Sequence, residues 1–181
     1  MAVGVAVIVI LGGFILWLIY TYNRFVARQT KIDDIWDEVD THLKLRHELI
    51  PNLVEAADGR MPEEAPTFRR IGEIRDAVEH GADMTESEPL ENELSTLLRK
   101  LRNDSAKYPD LMQDQKYITT LGELVSMEGR AATACERHND LVREFNRSIK
   151  SFPASLIAGF LHFNPCEMRI FGVSEGTPRQ A

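Results

Sequence analysis

From Val3 to Tyr22 the chain is almost wholly apolar, and its first 23 residues carry no charged side chain. A helix of that length, at 1.5 Å per residue, covers the ~30 Å hydrocarbon core of a bilayer. Beyond it the continuous run gives way to a stripe. Ile32, Trp36, Val39, Leu43, Arg46, Ile50, Leu53 and Ala57 are spaced alternately four and three residues apart. Tyr117, Leu121, Leu124, Glu128, Ala131, Cys135, His138, Val142, Phe145, Ile149 and Phe152 keep the same rhythm. Such spacing presents one helix face to a partner along a coiled-coil-like seam.

Breakers divide the rest. Pro62 and Pro66, Gly81, and the turn "YPD" at 108–110 leave helices over about 22–57, 67–80, 87–107 and 112–150, the third with Leu90, Leu94, Leu97 and Leu101 on one side. Alternating strand patterns and Asn-Gly hairpin turns are absent. The pattern predicts an all-α fold: an N-terminal transmembrane helix (1–23) continuing into an elongated antiparallel helical bundle with two long helices (24–163), then a C-terminal tail (164–181). Pro51 sits inside "HELIPNLVEA" (47–56), yet the apolar spacing runs through it unchanged, which predicts a kink and not a stop.

Each long stripe is interrupted once by an ionisable residue, Arg46 on the first and Glu128 on the second. A lone seam charge is costly and an opposite pair offsets much of that cost, so the two are expected to form a structural ion pair. In antiparallel helices facing residues have a constant sum, here 174. That register sets Trp36 near His138, Leu53 near Leu121 and Tyr22 near Phe152. Asn139 and Asn146, seven apart, lie on one stripe beside the seam; with Asn52 and His138 they form a candidate polar seam that fixes register. The segment "FPASLIAGFLHF" (152–163) is too short to span a bilayer, and Phe152, Leu156, Phe160 and Phe163 make a candidate membrane contact at the bundle end. Ordinary packing onto the bundle is the competing reading of that segment.

Charge narrows the partners. A net charge of −7 supplies no basic surface for nucleic acid. The basic residues Arg24, Arg28 and Lys31 follow the apolar run and none precedes it, so the positive-inside rule puts the N-terminus outside and the body in the cytoplasm. A cleaved signal peptide, the alternative, would want a basic start and a shorter apolar run. Cys135 and Cys166 form no metal or disulfide pattern. "HELIP" begins like the zinc motif HExxH but has Pro51 in place of the second His, and no phosphate loop or nucleophile elbow occurs. No catalytic, metal or cofactor site is expected.

Four stretches, "WDEVDTHLKLRHELIPNLVEA" (36–56), "YPDL" (108–111), "LVSMEGRAATACERHNDLVREFN" (124–146) and "FPASLIAGF" (152–160), resemble in order the LemA family of bacterial membrane proteins. The resemblance implies a single N-terminal transmembrane helix with the N-terminus outside, a cytoplasmic bundle of long antiparallel helices, and no established enzymatic activity. The chain departs from the family where two basic residues are usual, at Leu45 and Arg46, where His138 replaces a usual Tyr, and in "AADGRMPEEAP", which interrupts a usual helical continuation. A branch resembling the magnetosome protein MamQ carries a longer N-terminal extension. The functional expectation is a non-enzymatic scaffold in the inner (cytoplasmic) membrane that binds other membrane proteins or itself. The alternative is a MamQ-like organiser of membranes that uses Phe152–Phe163 as a second lipid contact.

Overall fold

In the computed structural model, residues 2–57, 59–80 and 84–171 are described. Five α-helices account for most of them: α1 (Ala2–Ala57), α2 (Ala65–Glu79), α3 (Met84–Ser105), α4 (Gln115–Lys150) and α5 (Ala154–Phe160), with 3-10 turns at Pro62–Glu64 and Leu111–Gln113. Among the described residues there is no strand. The fold is all-α with a long apolar N-terminal helix.

α1 holds 56 residues without a break, Pro51 included. Pro51 is on the exposed side, and the helix continues through the backbone bond it cannot donate. Gly59, in the left-handed region at φ +68°, turns the chain after the helix has ended. The first stretch of α1 is long and apolar enough to cross a membrane, with a mean hydropathy of 2.8, and none of it is buried within the fold. That is compatible with membrane anchoring; a signal sequence has the same properties.

The chain divides into two compact units. The first combines Met1–Asp37 with Glu136–Arg169, the second Glu38–Cys135 with the residues from Ile170 on. In the first unit Phe25 and Ile32 of α1 pack with Val142, Phe145 and Ile149 of α4 and Ala158 of α5. In the second, Ile50, Leu53 and Ala57 of α1 share a core with Ile71 and Ile74 of α2, Leu94, Leu98 and Leu101 of α3, and Tyr117 and Leu124 of α4.

The expected antiparallel register holds within each unit. In the first, the Trp36 and His138 rings lie 5.3 Å apart. In the second, Arg60 pairs with Asp114 at 2.6 Å, and Leu53 and Leu121 pack in one cluster. One expected contact fails: Tyr22 meets Phe163 at 6.0 Å and not Phe152, which is exposed. The reason is the end of α4 at Lys150. The chain leaves the seam there, and α5 brings a later phenylalanine back to Tyr22. α5 itself closes with the 6→1 bond of a Schellman motif, Phe163 N–H to the Ala158 carbonyl at 3.0 Å, with His162 in the left-handed region at φ 57°.

Candidate functional site

In the second unit the buried feature is Arg46. Its side chain is 0% exposed, carried inward by the seam spacing of α1. One guanidinium nitrogen donates to Ser95 Oγ at 2.8 Å and another donates to Glu91 Oε2. The second oxygen of Glu91 lies 2.8 Å from His47 Nε2, so one carboxylate, only 4% exposed, joins two neighbours on α1. The guanidinium also stands over the Phe171 ring, 5.3 Å from its centre. Burial pulls the Arg46 pKa below the usual arginine range, against the opposing pull of Glu91 and, further off, Glu128.

The expected ion pair is therefore corrected. Glu128 stands at the right height and within electrostatic reach, yet the hydrogen-bonded partner is Glu91. Periodicity on two helices cannot see a third, and α3 brings its carboxylate closer. The signal that could have found it is on α3. Glu91 and Ser95 are one turn apart and share the buried stripe of Leu94, Leu98 and Leu101. The expected stripe of Leu90, Leu94, Leu97 and Leu101 lay a fraction of a turn away, for Leu90 and Leu97 are only half-buried.

In the first unit the polar residues do something different. Asn139 donates from Nδ2 to the Arg169 carbonyl at 2.6 Å and accepts the Arg169 N–H on Oδ1 at 2.9 Å. Asn146 repeats the pattern on Cys166, at 2.8 and 2.9 Å. Each side-chain amide thus satisfies both backbone groups of one residue in the segment that follows α5. The Arg169 guanidinium lies over the Trp36 ring, 4.8 Å from its centre, and His138 packs against the same indole. His138 is buried, and desolvation lowers its pKa; Arg169 adds to that, while the Asn139 hydrogen bond and Asp33 oppose it. Burial also raises the Cys166 thiol pKa, with Asp33 adding to the effect. The second unit contains a parallel arrangement: Ile170 N–H donates to Glu88 Oε1 at 2.7 Å and its carbonyl accepts from Asn92 at 3.2 Å.

The polar seam is accordingly redrawn. Asn139 and Asn146 bond the backbone of the returning chain, and Asn52 is exposed outside the seam. Of the candidate membrane contacts, Phe152, Leu156 and Phe160 are 83%, 67% and 82% exposed. Phe163 is not among them. Its ring packs between α1 side chains, 6.0 Å from Tyr22 and 5.2 Å from Phe25.

A cleft of about 450 Å³ lies beside Gly59, Tyr108 and Leu111, but its cations are already paired, Arg60 with Asp114 and Lys107 with Asp104. Among the described residues no group of His, Cys, Asp or Glu side chains is placed to hold a metal ion.

A model of the LemA family matches residues 35–181, which takes in the Arg46 network, both asparagines and the segment they hold. The chain belongs to the LemA family. No curated protein is significantly similar to it. The LemA match begins one residue before Trp36 and leaves the apolar start of α1 outside. The match runs on to residue 181, and the residues of the expected tail from 172 on lie outside the described residues.

Proposed function

We propose that this LemA protein is a non-enzymatic interaction module of the bacterial inner membrane, anchored by a single pass of α1. The N-terminus lies outside and the helical body in the cytoplasm, where it contacts other membrane proteins or copies of itself. The observation that carries this reading is the unburied apolar start of α1, continuous with a helix whose later turns form both cores. A cleaved leader has no reason to continue in one helix into a folded body. The basic residues after the span support the orientation. Resistance of the membrane-bound protein to alkaline extraction, with the body cleaved by protease only in inverted vesicles, is the expected result. Release at high pH, or turnover of a substrate by residues 24–181 that is lost on changing one polar side chain, would defeat it.

A second reading is favoured by α5. Leu156 and Phe160 are four apart on one side of α5, Phe152 stands in the turn before it, and all three are largely exposed, in the same unit as the apolar start of α1. That is the arrangement of a short interfacial helix, with Arg147 and Lys150 at the end of α4 to meet anionic headgroups. It supports membrane organisation as an alternative role. Flotation of residues 24–181 with anionic vesicles tests it, and a protein that stays in the soluble fraction would rule it out.

A further inference from the structure

The two asparagines of α4 read backbone, and the spacing between them suits an extended chain. Seven helical residues rise ~10.5 Å, close to the ~10 Å covered by three extended residues. Asn146 and Asn139 therefore meet Cys166 and Arg169 in turn, with the segment antiparallel to α4. The same period of three brings side chains to the unit: Phe163 and Cys166 pack on its core and Arg169 covers Trp36. Four of the bonds go to peptide groups and carry no sequence requirement. Sequence enters through the apolar positions and the cation. Asp33, three residues before Trp36 in α1, adds a negative charge that reaches His138 and Cys166 beside the cation.

We infer that this face is a peptide-binding site occupied by the chain's own segment, and that an extended segment of a partner protein can replace it. The partner segment carries an apolar residue, a small apolar residue three further on, and an Arg or Lys three beyond that. Recognition of this kind takes its affinity from main-chain hydrogen bonds and its selectivity from a few side-chain positions. The chain's own segment, tethered and at high effective concentration, keeps the site closed to weak competitors. The inference deepens the interaction role proposed above and rests on it for its setting. Its test is separate, because peptide binding can fail while the anchor holds.

The test uses the full chain in nanodiscs and a fluorescent synthetic peptide with the sequence of residues 161–171. Arg169→Ala in the chain removes the cation from Trp36 and leaves both amide clamps. The peptide should bind this variant roughly tenfold more tightly than it binds the native chain, the worth of one cation–π contact. Adding Asn139→Ala and Asn146→Ala should abolish binding while far-UV circular dichroism keeps its helical signal. Equal affinity for native chain and Arg169→Ala, or binding that survives loss of both asparagines, overturns the inference. A measurement on the native chain needs no variant. Saturating peptide should speed hydrogen exchange at the chain's own Cys166 and Arg169 amides, because the displaced segment loses its acceptors. Exchange that does not change under saturating peptide overturns it too.

Discussion

Around Arg46 and around Asn139 the protein buries polar groups in two different ways. Arg46, Glu91 and His47 form a network in which charge is taken out of water and held by one carboxylate. Asn139 and Asn146 are neutral, and each completes a closed pair of hydrogen bonds with a peptide group. The first arrangement involves large opposing energies: desolvation of each ion against their attraction, so removing one partner leaves a buried charge uncompensated. The second involves small ones, a net of about 0.5–1.5 kcal/mol per bond, and can open without leaving a bare charge. A charged cluster suits a fixed core, and amide clamps suit a segment that comes and goes.

Four measurements bear on that contrast. Glu91→Ala should cost the most, about 3–5 kcal/mol in denaturant unfolding, because Arg46 is left buried without its partner. Joint replacement, Arg46→Met with Glu91→Leu, should recover most of that loss, and a single-variant loss below about 1 kcal/mol would show that the network is not the rigid half of the pair. Asn139→Ala should cost about 1–3 kcal/mol, the penalty of stranding the Arg169 peptide groups. Its signature is local: faster hydrogen exchange at Cys166 and Arg169 with the Leu53 and Leu124 amides unchanged.

Next is pH. Desolvation holds the His138 pKa below its ordinary 6.5, so the folded state binds the proton less readily than the unfolded chain. Its contribution is fully present above about 6.5 and falls away as pH drops through the folded value. His138→Tyr should flatten the dependence of the unfolding midpoint on pH in that window, and parallel profiles for the two proteins would remove His138 as the cause. Smallest is Glu128→Gln, expected to cost no more than about 0.5–1 kcal/mol, as for a weakly coupled, part-solvated charge. A loss comparable to that of Glu91→Ala would restore Glu128 as the principal partner of Arg46.

How much of this could be read beforehand differs between residues. The four-three spacing correctly buried Ile32, Val39, Ile50, Leu53, Val142 and Phe145, and one sum of residue numbers brought Trp36 to His138. It failed for Phe152 because the register rule holds only while both chains are helical, and α4 ends at Lys150. It named Arg46 as the polar residue to watch but chose Glu128, since a two-helix argument has no place for Glu91 of α3. Asn139 and Asn146 were recognised as a stripe, yet their bonds go to peptide groups, which every residue carries, and three contact positions three apart are too few to stand out as a period.

The all-α class, the apolar start and the antiparallel register were legible because each depends on local spacing repeated over many residues, and the family because its stretches occur in order. Which carboxylate meets Arg46, which phenylalanine stays exposed and what the asparagines hold emerge only when the chain is folded. Those depend on single distances between segments remote in the chain, where one turn of helix or one left-handed residue, His162, redirects everything that follows.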